Sequence, residues 1–242
     1  MMLTTLSPPR RALRIGSACL LQRLTDVPEG DAWLAPEERA TLAALQVEKR
    51  RTEWRLGRWT AKRLLDARLI DAPEPDAMRV QPASDGAPEV WCEDAPLPLV
   101  LSISHSAGLA FCAVAPHGRA IGCDIELVEP RSPALAADYF TATECGVVER
   151  AAPEERARLV TLIWSAKESA LKALRTGLRA DTRSVEVGIL RGAAVCGWSP
   201  LAVRDARRVR RGWWRLEGSH LLTVVGDALE EPPMMEGRGT GD

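Results

Sequence analysis

Asp124 and Glu126 stand two residues apart in the run Ile121-Gly122-Cys123-Asp124-Ile125-Glu126-Leu127. Alternate side chains of a strand share a face. Ile121, Cys123, Ile125 and Leu127 then make an apolar face, and the two carboxylates share the other, with backbones about 7 Å apart. Two acids so placed can converge on one hard cation. Mg2+ takes oxygen ligands, keeps some waters and commonly adds a substrate phosphate. The same alternation is also that of an amphipathic strand with a solvated acidic face, so this pattern alone leaves both readings open.

Two further patterns lie on helices. In Trp164-Ser165-Ala166-Lys167-Glu168-Ser169-Ala170-Leu171-Lys172, helical geometry puts Thr161, Ser165, Glu168 and Lys172 on one face. Glu168 and Lys172 can touch; on an open surface that pair would contribute only about 0.3–0.5 kcal/mol. Lys167 falls inside the apolar arc, between Val160 and Leu174, where its stem snorkels or its ammonium meets a phosphate. Arg51, Arg55, Arg58 and Lys62 recur at spacings of four, three and four, with Glu53 expected to face away. Four cations without an acid among them repel one another, and an anionic partner would relieve that cost; a solvated basic face is the plainer alternative. Ser104-His105-Ser106 closes a strand, where a hydroxyl and an imidazole can hold a phosphate. No nearby acid completes a hydrolase triad, and there is no G-x-S-x-G elbow.

The elements that must position these residues can be read coarsely. A helical stretch over 36–70 opens on Pro36, Glu37 and Glu38 and breaks once near 48–51. Residues 71–98 read as loop with short extended pieces. Strands follow from Leu99, over Ala110–Ala115 and over Ala120–Val128, the first two joined by a turn at Ala107-Gly108. Helices are expected over 133–150 and 154–176, the second stopped by Gly177. Strands are expected near 185–190, 201–204, 213–217 and 220–226. Each half is thus helix plus strands. The expected fold is α+β (α/β), with two similar subdomains over 1–117 and 118–228 in a pseudo-two-fold arrangement and a loose tail over 229–242.

Composition sets the outer limits. The chain has 242 residues, 46% hydrophobic and 27% charged, enough apolar material for a substantial core. The net charge of −1 excludes a general polyanion-binding surface, so an anion site must come from local Lys and Arg, and nucleic acid is not the expected partner. Six scattered cysteines without a C-x-x-C pair, and three histidines, argue against structural zinc and for buried thiols in a reducing compartment. The N-terminal stretch has no long apolar run, and the adjacent Arg10 and Arg11 are not followed by one, so neither a signal peptide nor a membrane span is expected. The expected address is the cytoplasm.

Taken together, SISHS (102–106), IGCDIE (121–126) and WSAKESALK (164–172) resemble the Sfp-type 4'-phosphopantetheinyl transferases, in that family's order and at comparable spacing over roughly residues 50–175. The resemblance implies two similar α/β subdomains with coenzyme A in the cleft between them, working as a monomer. It implies a reaction in which the phosphopantetheine group of coenzyme A moves to a serine of an apo carrier protein and 3',5'-ADP is released. Asp124, Glu126 and Glu168 match the family's Mg2+-binding acids. Ser104 and His105 match contacts to coenzyme A phosphate, and Lys172 the lysine near the reacting pyrophosphate. Lys167 matches a motif lysine, and Arg58 a 3'-phosphate contact. Arg51 and Lys62 extend that carry-over, and Glu144 matches a further family acid. Glu168 is the candidate base, directly or through a metal-bound water, with Lys172 and His105 stabilising charge. Many relatives carry Gly-Lys-Pro before the SISHS-like strand; here Gly86-Ala87-Pro88 lacks the lysine. The same acids also suit a non-catalytic coenzyme A or nucleotide binder, or an unrelated magnesium phosphohydrolase.

Overall fold

Ala18–Arg23 (β1) is a nearly unbroken apolar run, and its burial on both faces explains why alternation does not reveal it. Pro36–Ala44 (α1) starts on a proline with Glu38 at its third position, and Glu48–Arg68 (α2) follows after a break at 45–47. Met78–Pro82 (β2), Pro88–Cys92 (β3) and Ala95–Pro96 (β4) are the short extended pieces expected within 71–98, and they pair as a small antiparallel sheet. Leu99–Ser106 (β5) and Leu109–Pro116 (β6) form a hairpin. Its turn places Ala107 and Gly108 at φ of 47° and 79°. This computed structural model describes residues 12–14 and 16–237; Arg10, Arg11 and the last residues of the tail lie outside them.

The second half repeats the plan. Ile121–Leu127 (β7) precedes Pro133–Tyr139 (α3), Ala142–Arg150 (α4) and Pro153–Ala173 (α5). The helix expected over 133–150 is divided at Phe140-Thr141. The Thr141 hydroxyl accepts from the Glu144 N–H, and Glu144 accepts from the Thr141 N–H, so a fresh helix starts there. Helix α5 stops at Ala173, ahead of Gly177, because Arg175 takes the left-handed conformation, φ 58°. Glu186–Ile189 (β8), Ser199–Arg204 (β9), Val209–Glu217 (β10) and His220–Gly226 (β11) then join β7 in an antiparallel sheet of order β7-β11-β10-β9-β8.

The tail is not loose over its described part. Met234–Met235 (β12) pairs in parallel with Ala18 and Cys19, completing a sheet of order β12-β1-β6-β5. Leu229 is buried, its carbonyl accepts from the Trp213 indole N–H at 3.0 Å, and Glu236 pairs with Arg68 at 3.3 Å. The tail's apolar residues fill an edge of the core that would otherwise face water.

Four layers result. Ala18, Leu20, Cys112 and Val114 face α2, while Cys19, Leu21, Phe111 and Ala113 point the other way. They meet Ile121, Cys123, Ile125, Leu222 and Val224 of the second sheet in a core shared by both halves. Helix α5 covers that sheet's outer face through Leu162, Ala166 and Ala170 against Leu221 and Val225.

The two halves are related in detail. Glu38 and Glu144 each occupy the third position of a nine-residue helix, where each carboxylate accepts from an N-cap N–H, Ala35 or Thr141. Their other oxygens accept from the N–H of Val80 and of Val187, in β2 and β8. Each acid pairs with a fully buried lysine, Lys62 or Lys167, and each lysine is the fifteenth residue of a 21-residue helix. The pseudo-two-fold arrangement is therefore written in matching polar contacts as well as in element order.

Candidate active site

Gly122 lets α5 lie directly on β7. A Cβ there would sit 2.0 Å from the Ser169 carbonyl oxygen and 2.6 Å from the Ala173 nitrogen. A buried hydroxyl cluster fixes the helix from the other side: Thr223 Oγ1 lies 2.8 Å from Ser165 Oγ and 2.7 Å from Ser169 Oγ. Thr223 is the register partner of Asp124. These contacts set Glu168 and Lys172 over the acidic face of β7. That face is not solvated, for Asp124 is only 2% exposed.

Asp124 Oδ1 accepts from Ser104 Oγ at 2.7 Å and from Lys172 Nζ at 2.8 Å. Its Oδ2 is buried without a partner. Lys172 also donates to the Cys123 carbonyl at 3.1 Å and lies 3.6 Å from Glu168. Burial alone would lower the Lys172 pKa; Asp124 and Glu168 more than reverse this, and it is raised. Glu168 is pushed up to about 7, first by burial and then by Asp124, with Glu126 adding and Lys172 opposing. Burial, then Asp124, also raises Glu126, which accepts from Trp164 Nε1 at 3.1 Å and from Arg131 Nη2 at 2.8 Å. Beneath them Cys123 is pushed up to about 12 by burial, an inert thiol that fills the shared core.

These groups open on a cavity of about 550 Å³ between the halves. Its N-terminal wall carries Arg50, Glu53, Trp54, Gly57 and Arg58 of α2, with Ser104 and His105 at the end of β5. A larger cavity of about 910 Å³ lies toward the start of β5, lined by Leu97, Leu99, Val100, His117, Arg119 and Arg175 among others. It holds none of the motif residues, so the chemistry belongs to the smaller one.

Several expectations change. The basic stripe is not uncompensated. Arg51 closes the end of α1, donating to the Leu42 and Leu45 carbonyls at 2.6 and 3.2 Å, and is absent from the cavity wall. Arg55 pairs with Asp31 at 2.9 Å. Lys62 is fully buried, with Glu38, the Trp33 carbonyl and the Pro75 carbonyl as acceptors, so it has no reach to a ligand. Lys167 is likewise spent on Glu144 and the carbonyls of Thr182 and Val185, and neither snorkels nor meets a phosphate. Glu144 is the cap and counter-ion that the second half needs. Arg58 does face the cavity, its guanidinium 4.6 Å from the Trp54 ring centroid. Ser104 lies on the wall with its hydroxyl committed to Asp124. His105 is exposed, its Nδ1 3.9 Å from Glu53 Oε2, so Glu53 faces into the site. Ala87 sits in a turn whose backbone N–H donates to Asp85, and Asp85 is held by Arg175.

Arg50, Trp54, Trp164 and Arg131 join the site beyond the expected residues. The spacing 50, 54, 57, 58 on α2 carries the first two; nothing local in the sequence ties Arg131 or Trp164 to Glu126.

The three acids do not form a ready-made coordination sphere. Among the described residues, no three His, Cys, Asp or Glu side chains are gathered to hold a metal ion. Lys172 stands between Asp124 and Glu168 instead, supplying positive charge. The donor set nonetheless fits Mg2+. It offers hard oxygens only, the bare Oδ2 of Asp124, and three carboxylates against the two cations Lys172 and Arg131. Among the described residues, no helix is long and apolar enough to cross a membrane.

Comparisons with known proteins point to one family. Residues 37–115 match the family model for the 4'-phosphopantetheinyl transferase N-terminal domain, and residues 120–196 match the 4'-phosphopantetheinyl transferase superfamily. The chain is 28% identical over 189 residues to the 4'-phosphopantetheinyl transferase HetI of Nostoc sp., covering 75% of this chain and 78% of that protein. It is 33% identical over 86 residues to a 4'-phosphopantetheinyl transferase of Bacillus subtilis, covering 36% and 38%. Among solved structures, a holo-(acyl-carrier-protein) synthase from Bacillus anthracis in complex with CoA (3',5'-ADP) matches at 22% identity, covering 43% of this chain and 96% of that one, with a TM-score of 0.36. The two family models follow each other along most of residues 37–196, one on each half of the fold, and the chain belongs to the 4'-phosphopantetheinyl transferase family.

Proposed function

We propose that this protein transfers the phosphopantetheine group of coenzyme A to a serine hydroxyl of an apo carrier protein, releasing 3',5'-ADP, with Mg2+ as cofactor. One observation carries the reading: three carboxylates (Asp124, Glu126 and Glu168), a lysine and two arginines from separate halves of the chain line one cavity. Asp124, Glu126 and Glu168 would hold the ion, which supplies charge neutralisation at the pyrophosphate when bound.

The chain's own groups do the rest. Arg50 and Arg58 face the cavity as cations for the phosphates distant from the reacting phosphorus, among which the 3'-phosphate is the best matched to Arg58. His105 and Ser104 border the same anion space. Lys172 stabilises negative charge on the pyrophosphate oxygens as the serine oxygen bonds to the β-phosphorus and the bond to the leaving 3',5'-ADP breaks. Glu168, which titrates near neutrality, accepts the serine proton. Both walls of the cavity come from one chain, which supports a monomer as the working form. Free cysteines, four of them buried, suit the cytoplasm.

The test is incubation with coenzyme A, Mg2+ and a panel of apo carrier proteins. A carrier that is a substrate gains about 340 Da, the mass of the group moved in this phosphoryl transfer. Asp124→Ala should give no product while remaining folded. Turnover by that variant at the wild-type rate, or no mass gain on any carrier, would overturn the reading.

A further inference from the structure

Glu126 is held by two donors, one on each oxygen: the Trp164 indole N–H at 3.1 Å and an Arg131 N–H at 2.8 Å. Both donors are themselves fixed. The Trp164 ring meets Tyr139 edge-on, with centroids 5.3 Å apart and planes at 62°. Arg131 also donates to the Leu127 carbonyl at 3.3 Å and pairs with Glu129 at 3.7 Å. A carboxylate oxygen has two lone pairs. One donor on each oxygen therefore sets the plane of the Glu126 carboxylate and leaves a lone pair on each for another partner. The arrangement at Asp124 differs: one oxygen takes two donors and the other takes none.

We propose that Trp164 and Arg131 are positioning residues that aim the Glu126 carboxylate at the divalent cation. The proposal rests on the metal reading given under Proposed function. Groups that hydrogen-bond a metal-binding side chain from behind fix its orientation, and losing one typically costs about 10–100-fold in metal affinity. Trp164 spans two elements here: it is rooted in α5, yet it fixes an acid of β7. Trp164 thus couples the seating of α5 to the aim of Glu126. Arg131 follows β7 closely and holds the second oxygen from the loop side.

The experiment is a Mn2+ titration followed by electron paramagnetic resonance on the full chain with 3',5'-ADP present. Wild type is compared with Trp164→Phe, Arg131→Gln and Arg131→Lys. Phe keeps the ring body and the Tyr139 contact while removing the N–H. Trp164→Phe should weaken Mn2+ by about tenfold. Arg131→Gln should weaken it as well, and Arg131→Lys, which keeps a charged donor, should restore much of the affinity. Binding of 3',5'-ADP in chelator should be unchanged in all three.

Wild-type Mn2+ affinity in Trp164→Phe overturns the inference while leaving the metal reading intact. So does a parallel loss of Mn2+ affinity, chelator-state 3',5'-ADP affinity and melting temperature, the mark of a purely structural role. Tighter Mn2+ binding by Arg131→Gln would make Arg131 a competitor of the ion and overturn its part. If wild type binds no Mn2+ at all, the metal reading itself fails.

Discussion

At the scale of single residues, Glu168 ties the site to pH. Its pKa in the folded protein, about 7, lies above the ordinary glutamate value. Between those two values the native state holds a proton that the unfolded chain has lost, so stability falls as pH rises through this window. In chelator, the wild-type protein should lose stability from about pH 4.5 to pH 7, and Glu168→Gln should flatten that slope. Denaturant midpoints measured across the range check it, and an unchanged slope in the variant would remove Glu168 as the source. Adding Mg2+ should move the window downward, because a cation favours the ionised form. Arg50 and Arg58 give a second residue-scale expectation. Alanine at Arg58 should weaken coenzyme A more than dephospho-coenzyme A, whereas equal losses in a calorimetric titration would take Arg58 off the 3'-phosphate. Arg50 stands on the same wall, and its alanine variant should weaken both ligands through lost positive charge.

At the scale of elements, the seating of α5 on β7 decides whether the site exists. Gly122→Ala would thrust a methyl into the Ser169 carbonyl, a backbone atom that cannot step aside. Overpacking of this kind costs about 1–3 kcal/mol and more where backbone must shift. The variant should unfold at lower denaturant and lose activity beyond what stability explains, since Lys172 and Glu168 ride on the displaced helix. Wild-type stability would refute the close-approach argument. This is also where legibility in the sequence divides. The face of β7 was readable because alternation is local, and Ile121, Cys123 and Ile125 do share the core. The acids' burial was not readable, because the cover comes from a helix about forty residues on. Lys62 and Lys167 looked like ligand-binding cations because helical spacing fixes the face a residue occupies and says nothing about which acid meets it. Their partners, Glu38 and Glu144, sit on separate helices. β1 stayed hidden because a strand buried on both faces has no period-two signal.

At the scale of the whole molecule, the two halves share a frame but not a function. By helix position, Arg63 and Ala67 in α2 stand where Glu168 and Lys172 stand in α5, so the first half carries no second set of site acids. What both halves keep is the buried lysine–carboxylate pair. Lys62→Met should destabilise the protein by about 3–5 kcal/mol, the cost of breaking a buried pair, since Glu38 then keeps only the more distant Arg58, at 3.8 Å. Lys167→Met should cost a similar amount, and Glu38→Gln combined with Lys62→Met should recover much of the loss. Thermal or chemical unfolding reads all of these; a mild effect at one lysine and a severe one at the other would break the equivalence of the halves. The pairing of β12 with β1 carries a different consequence. A chain cut after Gly226 would still contain every signature by which this enzyme is recognised in a genome. It would nonetheless forfeit Leu229, the acceptor for the Trp213 indole and the strand that borders Ala18. A gene call with a premature stop there would read as complete and encode a protein whose first sheet has lost its outer edge.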